Sequence, residues 1–219
     1  MNFSQILSKT WNLISLAGPM AIPLLIASIC SLAVIIEKLI FFARHKDNNF
    51  RLIKKIEMLV EDGDILGALN ELKGKKGPNA KLLSTALSHH SEDPDRIREV
   101  LQAVGEDEIK KMEKHLTILD VIAMISPLLG LLGTVLGIIS SFNILGTAMG
   151  TANPGQISSG IAAALISTAV GLMIAIPSTI FYSYFSNIVE RKAHEMNLSM
   201  VDIIDVVSDR GEEDVQTYT

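Results

Sequence analysis

The sequence predicts an all-α membrane protein with three transmembrane helices, the second and third extended into a cytoplasmic helical bundle. Three observations carry that prediction. From Val121 to Val189 the chain runs 69 residues without one Asp, Glu, Lys, Arg or His, although charged residues make up 20% of the whole. About 20 apolar residues cross a bilayer, so this stretch holds two spans with a turn between them. A second uncharged run, Thr10 to Ile36, supplies a third span. The charged remainder repeats its apolar residues at helical spacing and shows no alternating strand pattern.

The elements follow in order. Residues 1–17, with Phe3, Ile6, Leu7, Trp11 and Ile14 on one side, read as an amphipathic helix lying on the outer membrane surface. Residues 18–42 form the first span, with Glu37 and Lys38 near its end. A cleaved signal peptide is not expected, because the apolar core is too long and no small-x-small site follows. Cys30 is the single cysteine, which rules out an internal disulfide; it reads as a small buried apolar residue. Residues 43–116 form a helical insert. Phe50, Ile53, Ile56, Leu59 and Val60 make one stripe ended by Gly63, and Asp64 caps a helix bearing Ile65, Leu69 and Leu72. Leu82, Leu83, Ala86 and Leu87 mark a third helix, and Asp93-Pro94 starts a fourth. From Ile97 to Leu116 the apolar spacing continues with no stop signal before Asp120, which predicts one helix running into the second span, 117–146. An outer loop, 147–157, precedes the third span, 158–189, and a tail, 190–219, prolongs it.

Basic residues fix the orientation. Of 19 Lys and Arg, one precedes the first span, fifteen lie from Lys38 to Lys114, none falls in the outer loop and three follow Glu190. Basic residues stay cytoplasmic, so the amino terminus lies outside and the insert and tail inside. Both signs are interspersed in those parts, and the formal net charge of −5 suggests no nucleic-acid partner.

The chemistry lies in the hairpin. Pro127, Thr134 and Ser141 are spaced by seven and share one helix face, with Gly130, Gly133 and Gly137 beside it. The third span carries Gly160, Ala164, Ser167, Thr168, Gly171, Ala175 and Pro177, a small-residue stripe of the kind that packs membrane helices. With span ends near Leu145 and Ser158, Thr134 and Thr168 lie 11 and 10 residues in. At about 1.5 Å per residue both sit roughly 15 Å deep, close to the midplane. Two hydroxyls at the depth where an ion is hardest to stabilise suggest a pathway. The plainer reading is that each bonds back to a carbonyl one turn earlier. Spacing alone leaves the two balanced.

Other polar residues point to less. His89-His90 lack further ligands at metal spacing, so no metal site or cofactor is expected. Asp120 stands at the cytoplasmic mouth of the second span, as an ion acceptor or as a boundary residue. Glu190, Arg191 and Lys192 read as an interface anchor. No nucleophile elbow, phosphate loop or carboxylate pair marks an enzyme. A substrate transporter would show broken helices or repeats around a midplane site. A non-conducting scaffold, with glycine stripes that only pack helices, stays open.

Pro127-Leu-Leu-Gly-Leu-Leu-Gly-Thr134-Val-Leu-Gly137-Ile resembles the second-span signature of the MotA/TolQ/ExbB proton-channel family. Gly160-Ile-Ala-Ala-Ala-Leu-Ile-Ser-Thr168-Ala-Val-Gly171-Leu-Met-Ile-Ala-Ile-Pro177 resembles its third-span signature. Ile36-Glu37-Lys38 and the stretch from Glu61 to Leu69 also have counterparts there. The resemblance spans nearly the whole chain and is closer to ExbB and TolQ than to MotA, which has four spans. It implies a homopentamer in a bacterial inner membrane, around two copies of an ExbD- or TolR-like single-span subunit whose helix carries an aspartate. It further implies that the proton motive force acts beside Thr134 and Thr168 and that a TonB- or TolA-like protein carries the work outward; from their positions, Ser167, Ser141 and Asp120 are read as further residues along the path. A flagellar or gliding-type stator, sodium-coupled through Ser167, is the alternative. The family's third span often reads Gly-Ile-Ala-Glu-Ala-Leu, and here the acidic position is Ala163. Whatever that glutamate does must be dispensed with or come from a partner.

Overall fold

A computed structural model describes residues 18–44, 49–75, 77–90, 92–147 and 154–217. The expected outer helix, 1–17, and most of the expected outer loop lie outside them. After a 3-10 turn at Gly18–Met20 the chain forms α1 (Ala21–Arg44), α2 (Asn49–Glu61), α3 (Ile65–Leu72), α4 (Pro78–Ser88), α5 (Pro94–Glu113), α6 (Leu116–Thr147) and α7 (Pro154–Thr217). No strand occurs among the described residues. Three helices carry spans long and apolar enough to cross a membrane, Ala21–Ala43, Leu116–Ile144 and Ile157–Val206. The protein is an all-α membrane protein.

The described residues fall into two compact units, one within 1–38 and 115–185, the other within 39–114 and 186–219. Helices α1 and α7 contribute to both. The first unit carries apolar side chains both inside and on its surface, and among its described residues it also buries Lys38, Ser31, Ser126, Ser141, Ser167 and Ser178. Leu24, Leu119, Ile122, Ala164, Ala175 and Phe185 are buried, while Ile26, Met124, Leu128, Phe142, Leu165 and Met173 are exposed. A surface of that kind is stable only against lipid or other membrane helices. Pro127 and Pro177 stand inside helices that continue past them. Membrane helices tolerate such prolines because neighbouring groups take up the freed carbonyl.

The second unit is an ordinary amphipathic bundle. The α2 stripe buries Ile56 and Val60, and α4 buries Leu82, Leu83, Ala86 and Leu87. Each buried Leu, Ile or Val among them stabilises the fold by about 1.5–3 kcal/mol. Helix α2 closes with Gly63 at φ 81°, its N–H on the Val60 carbonyl and the Asp64 N–H on that of Leu59. That left-handed closure suits glycine. Asp64 then caps α3, its Oδ1 accepting from the Gly67 N–H at 2.8 Å, and Asp93 caps α5 by accepting from the Asp95 N–H at 2.9 Å. Gly105 on α5 faces the Met196 and Met200 methyls of α7, so the two long helices pack in this unit.

One boundary differs from the sequence expectation. The helix predicted to run unbroken from Pro94 into the second span stops at Glu113, and α6 starts anew at Leu116. His115 between them adopts φ 66°, a left-handed conformation that non-glycine residues enter at a cost of roughly 1 kcal/mol. Its Nδ1 lies 2.7 Å from Oε2 of Glu37, and that bond from α1 helps hold the break. The apolar spacing continues across the junction, which is why the sequence conceals it.

Glu57 on α2 has its pKa raised, first by burial and then by the charges of Asp202 and Glu61. A carboxyl whose folded pKa lies above its unfolded value binds more protons in the folded state. It therefore costs stability as pH rises from the ordinary carboxylate range through the raised value. Glu57→Gln is expected to raise the thermal midpoint at neutral pH and to have little effect near pH 4. The gain stays below about 1 kcal/mol because the group is largely in water. Thermal unfolding at the two pH values checks it.

Candidate functional site

The hairpin of α6 and α7 is held by glycines that admit the opposite backbone. A methyl group on Gly130 would lie 3.0 Å from the Ser167 carbonyl oxygen and 3.0 Å from Thr168 Cα. One on Gly171 would lie 2.5 Å from the Ser126 carbonyl oxygen and 3.1 Å from Gly130 Cα. Gly133 receives the Ser167 side chain, Gly137 the Ala164 methyl, which a methyl group on Gly137 would meet at 2.7 Å, and Gly160 the Ser141 hydroxyl. Small residues at every helical turn let two antiparallel helices approach to backbone contact. Gly130, Gly133, Gly137, Gly160, Ala164 and Gly171 thus meet one another inside the chain. Ala175 is buried, Pro127 is half-buried and Pro177 is exposed.

The two threonines lie at this seam, both half-buried, and are not hydrogen-bonded to each other. Thr168 Oγ1 donates across the seam to the Gly130 carbonyl at 3.0 Å. That carbonyl is one turn before Thr134 and is the regular helical acceptor for the Thr134 N–H. Thr134 Oγ1 donates back to the Leu131 carbonyl at 2.6 Å. The two hydroxyls therefore bond to adjacent carbonyls on one turn of α6. Each has given away its single proton, and what it offers a ligand is oxygen lone pairs. Such a pair can accept from a protonated carboxyl or ligate a small cation. Of the two arrangements the spacing allows, Thr134 takes the back-bond to its own helix, and Thr168 reaches the other helix.

Ser141, 3% exposed, donates to the Gly137 carbonyl at 3.0 Å. Ser167 is fully buried against Gly133, and its Oγ has no hydrogen-bond partner among the described residues. Asp120, half-buried on α6, makes no hydrogen bond or ion pair among them either. His89 Nδ1 donates to Glu92 at 2.8 Å and His90 Nδ1 to the Leu87 carbonyl at 2.9 Å. Among the described residues no three His, Cys, Asp or Glu converge as metal ligands.

Sequence reasoning missed one tie. Ser31 of α1 and Ser178 of α7 are both buried, with their oxygens 2.7 Å apart. Ser178 donates its proton to the Ile174 carbonyl at 2.8 Å, so Ser31 is the donor in the pair. The bond fixes α1 against the hairpin, and no local pattern announces a contact across 147 residues.

A buried hydroxyl without a partner costs about 1–3 kcal/mol. Ser167→Ala is therefore expected to raise thermal stability in detergent by roughly 1 kcal/mol, with the hairpin unchanged. A fall of comparable size would mean that the hydroxyl has a partner that holds it.

Residues 74–198 match the MotA/TolQ/ExbB proton channel family. The chain is 32% identical over 177 residues to an ExbB-like biopolymer transport protein of Synechocystis sp., covering 80% of this chain and 84% of the relative. It is 32% identical over 178 residues to the biopolymer transport protein ExbB of Salmonella typhimurium, covering 75% and 70%. With the biopolymer transport protein ExbB of Aquifex aeolicus it shares 46% identity over 83 residues, which is 38% of this chain and 55% of that one.

Proposed function

The chain belongs to the MotA/TolQ/ExbB proton channel family, and from that premise we propose that it is the ring-forming subunit of an ion-driven motor in a bacterial inner membrane. It lies there with its amino terminus in the periplasm and its carboxy terminus in the cytoplasm. Five copies surround two copies of an ExbD/TolR-like single-span subunit that brings a membrane aspartate. Ions driven by the membrane potential load that aspartate beside Thr134 and Thr168 and leave towards Asp120. The movement they cause reaches the outer membrane through a TonB- or TolA-like protein, and serves transport there or the upkeep of the envelope.

One observation carries this reading. Polar oxygens are grouped on one turn of α6 within a hairpin that has no Asp, Glu, Lys, Arg or His from Val121 to Val189. A proton carrier at that depth must come from another chain, and the absence of glutamate at Ala163 sharpens the requirement. The potential contributes about 2.3 kcal/mol per charge at 100 mV, so several ions must pass for each unit of substantial work. The inward-tied protons of both threonines suit a protonated carboxyl as the group that docks there.

Reconstitution tests the proposal. Liposomes holding the chain together with its co-expressed single-span partner are expected to take up protons when a potassium diffusion potential is imposed. Liposomes holding the chain alone are not. Uptake that requires sodium and vanishes in choline would favour the stator alternative, for which the unpartnered Ser167 oxygen is the supporting observation. No ion movement under either condition would leave the scaffold reading.

A further inference from the structure

Where the apolar run of α1 ends, the second unit holds a cavity of about 170 Å³. Its apolar wall is Phe41, Phe42 and Met112, the two rings meeting edge-on with centroids 5.3 Å apart. Its polar wall is Glu108, Lys111 and Lys192.

The charges do not cancel. Lys81 and Lys111 both bond to Asp107 and Glu108, at 3.4 and 2.8 Å and at 2.7 and 2.8 Å respectively. Two ammonium groups thus face two carboxylates. Lys192 is left over, half-buried, with no ion pair among the described residues. One excess positive charge beside an apolar wall suits a monoanion with a hydrocarbon attached.

The depth supports the same ligand. Phe41 and Phe42 close the apolar span that ends at Ala43. Lys192 comes two residues after Glu190, the first charge to follow the 69-residue uncharged run. Aromatic rings and lysines at such positions lie level with lipid headgroups. An ordinary anchoring lysine extends into water, whereas Lys192 lines a cavity with a ready apolar floor.

We propose that this cavity binds the headgroup of an anionic phospholipid. The phosphodiester pairs with Lys192, and the glycerol and first acyl carbons lie on Phe41, Phe42 and Met112. Free phosphate would leave that floor exposed, and a zwitterionic lipid would leave the excess charge unmatched.

Two measurements on the full chain in dodecyl maltoside test this. Native mass spectrometry from an equimolar lipid mixture is expected to retain phosphatidylglycerol over phosphatidylcholine; equal retention would overturn the proposal. Titrated phosphatidylglycerol is expected to raise the thermal midpoint, as any ligand of the folded state does. Lys192→Gln should weaken the apparent affinity about tenfold, the loss of one charged hydrogen bond. Lys192→Arg, and Lys110→Gln at an exposed site outside the cavity, should leave it unchanged. Each variant's midpoint without lipid shows whether it has folded. A Lys192→Gln titration identical to wild type, an equal loss in Lys110→Gln, or the same shift from inorganic phosphate would each contradict it.

Discussion

Gly171→Leu is expected to prevent recovery of folded, monodisperse protein from detergent. The first added carbon would meet the Ser126 carbonyl oxygen at 2.5 Å, with Gly130 Cα at 3.1 Å and Gly130 N at 3.3 Å. All three are backbone atoms, so no side chain can turn aside and the helices must part. Parting them removes the Thr168 bond to the Gly130 carbonyl, less than one turn away. Overpacking alone costs about 1–3 kcal/mol, and lost seam contacts add to it. Gly105→Ala is the contrast. Its new methyl would meet only methionine methyls, Met200 at 3.6 Å and Met196 at 3.9 Å. That substitution is expected to be neutral or to stabilise by up to about 1 kcal/mol, since glycine is a poor helix former. Size-exclusion profiles of tagged variants after heating separate the two outcomes.

The second large effect is on ion movement. The double variant Thr134→Ala, Thr168→Ala is expected to assemble normally and to lose potential-driven flux. The fold is preserved because the Gly130 carbonyl keeps its helical partner, the Thr134 N–H, when the Thr168 hydroxyl is removed. What disappears is the pair of acceptor oxygens. A hydrogen bond to a neutral carboxyl contributes about 0.5–1.5 kcal/mol, so each oxygen lost should slow passage by up to roughly tenfold. Thr→Ser at both positions keeps the oxygens and should retain most of the flux. Unchanged flux in the alanine pair would remove these residues from the pathway.

Much of this was legible in the sequence because the membrane leaves few choices. A charge-free run longer than two spans admits only helices, and Gly130, Gly137, Gly160 and Gly171 occur at intervals that one helix face presents. Caps are equally local, and Asp64 and Asp93 could be read from a few neighbours. The features hidden from it depend on partners distant in the chain. The break at His115 involves a hydrogen bond to Glu37 from α1, and nothing in the apolar spacing around it signals a stop. The Ser31–Ser178 bond joins residues 147 apart. At the site itself, spacing placed Thr134 and Thr168 near a common depth but left their partners undecided. Whether Thr168 bonds its own helix or the opposite one depends on how closely Gly130 lets α7 approach, a property of the packed pair. The unpartnered oxygen of Ser167 was invisible for the same reason.

The claim that the ion carrier is supplied by another chain is tested most directly by isolating the complex. The tagged chain would be drawn from its native cells in mild detergent, and whatever accompanies it identified and counted. The expected companion is a small single-span protein with an aspartate in its membrane helix, at two copies for every five of this chain. Recovery of this chain alone, in a ring of any size and with no such protein at any detergent strength, would contradict it.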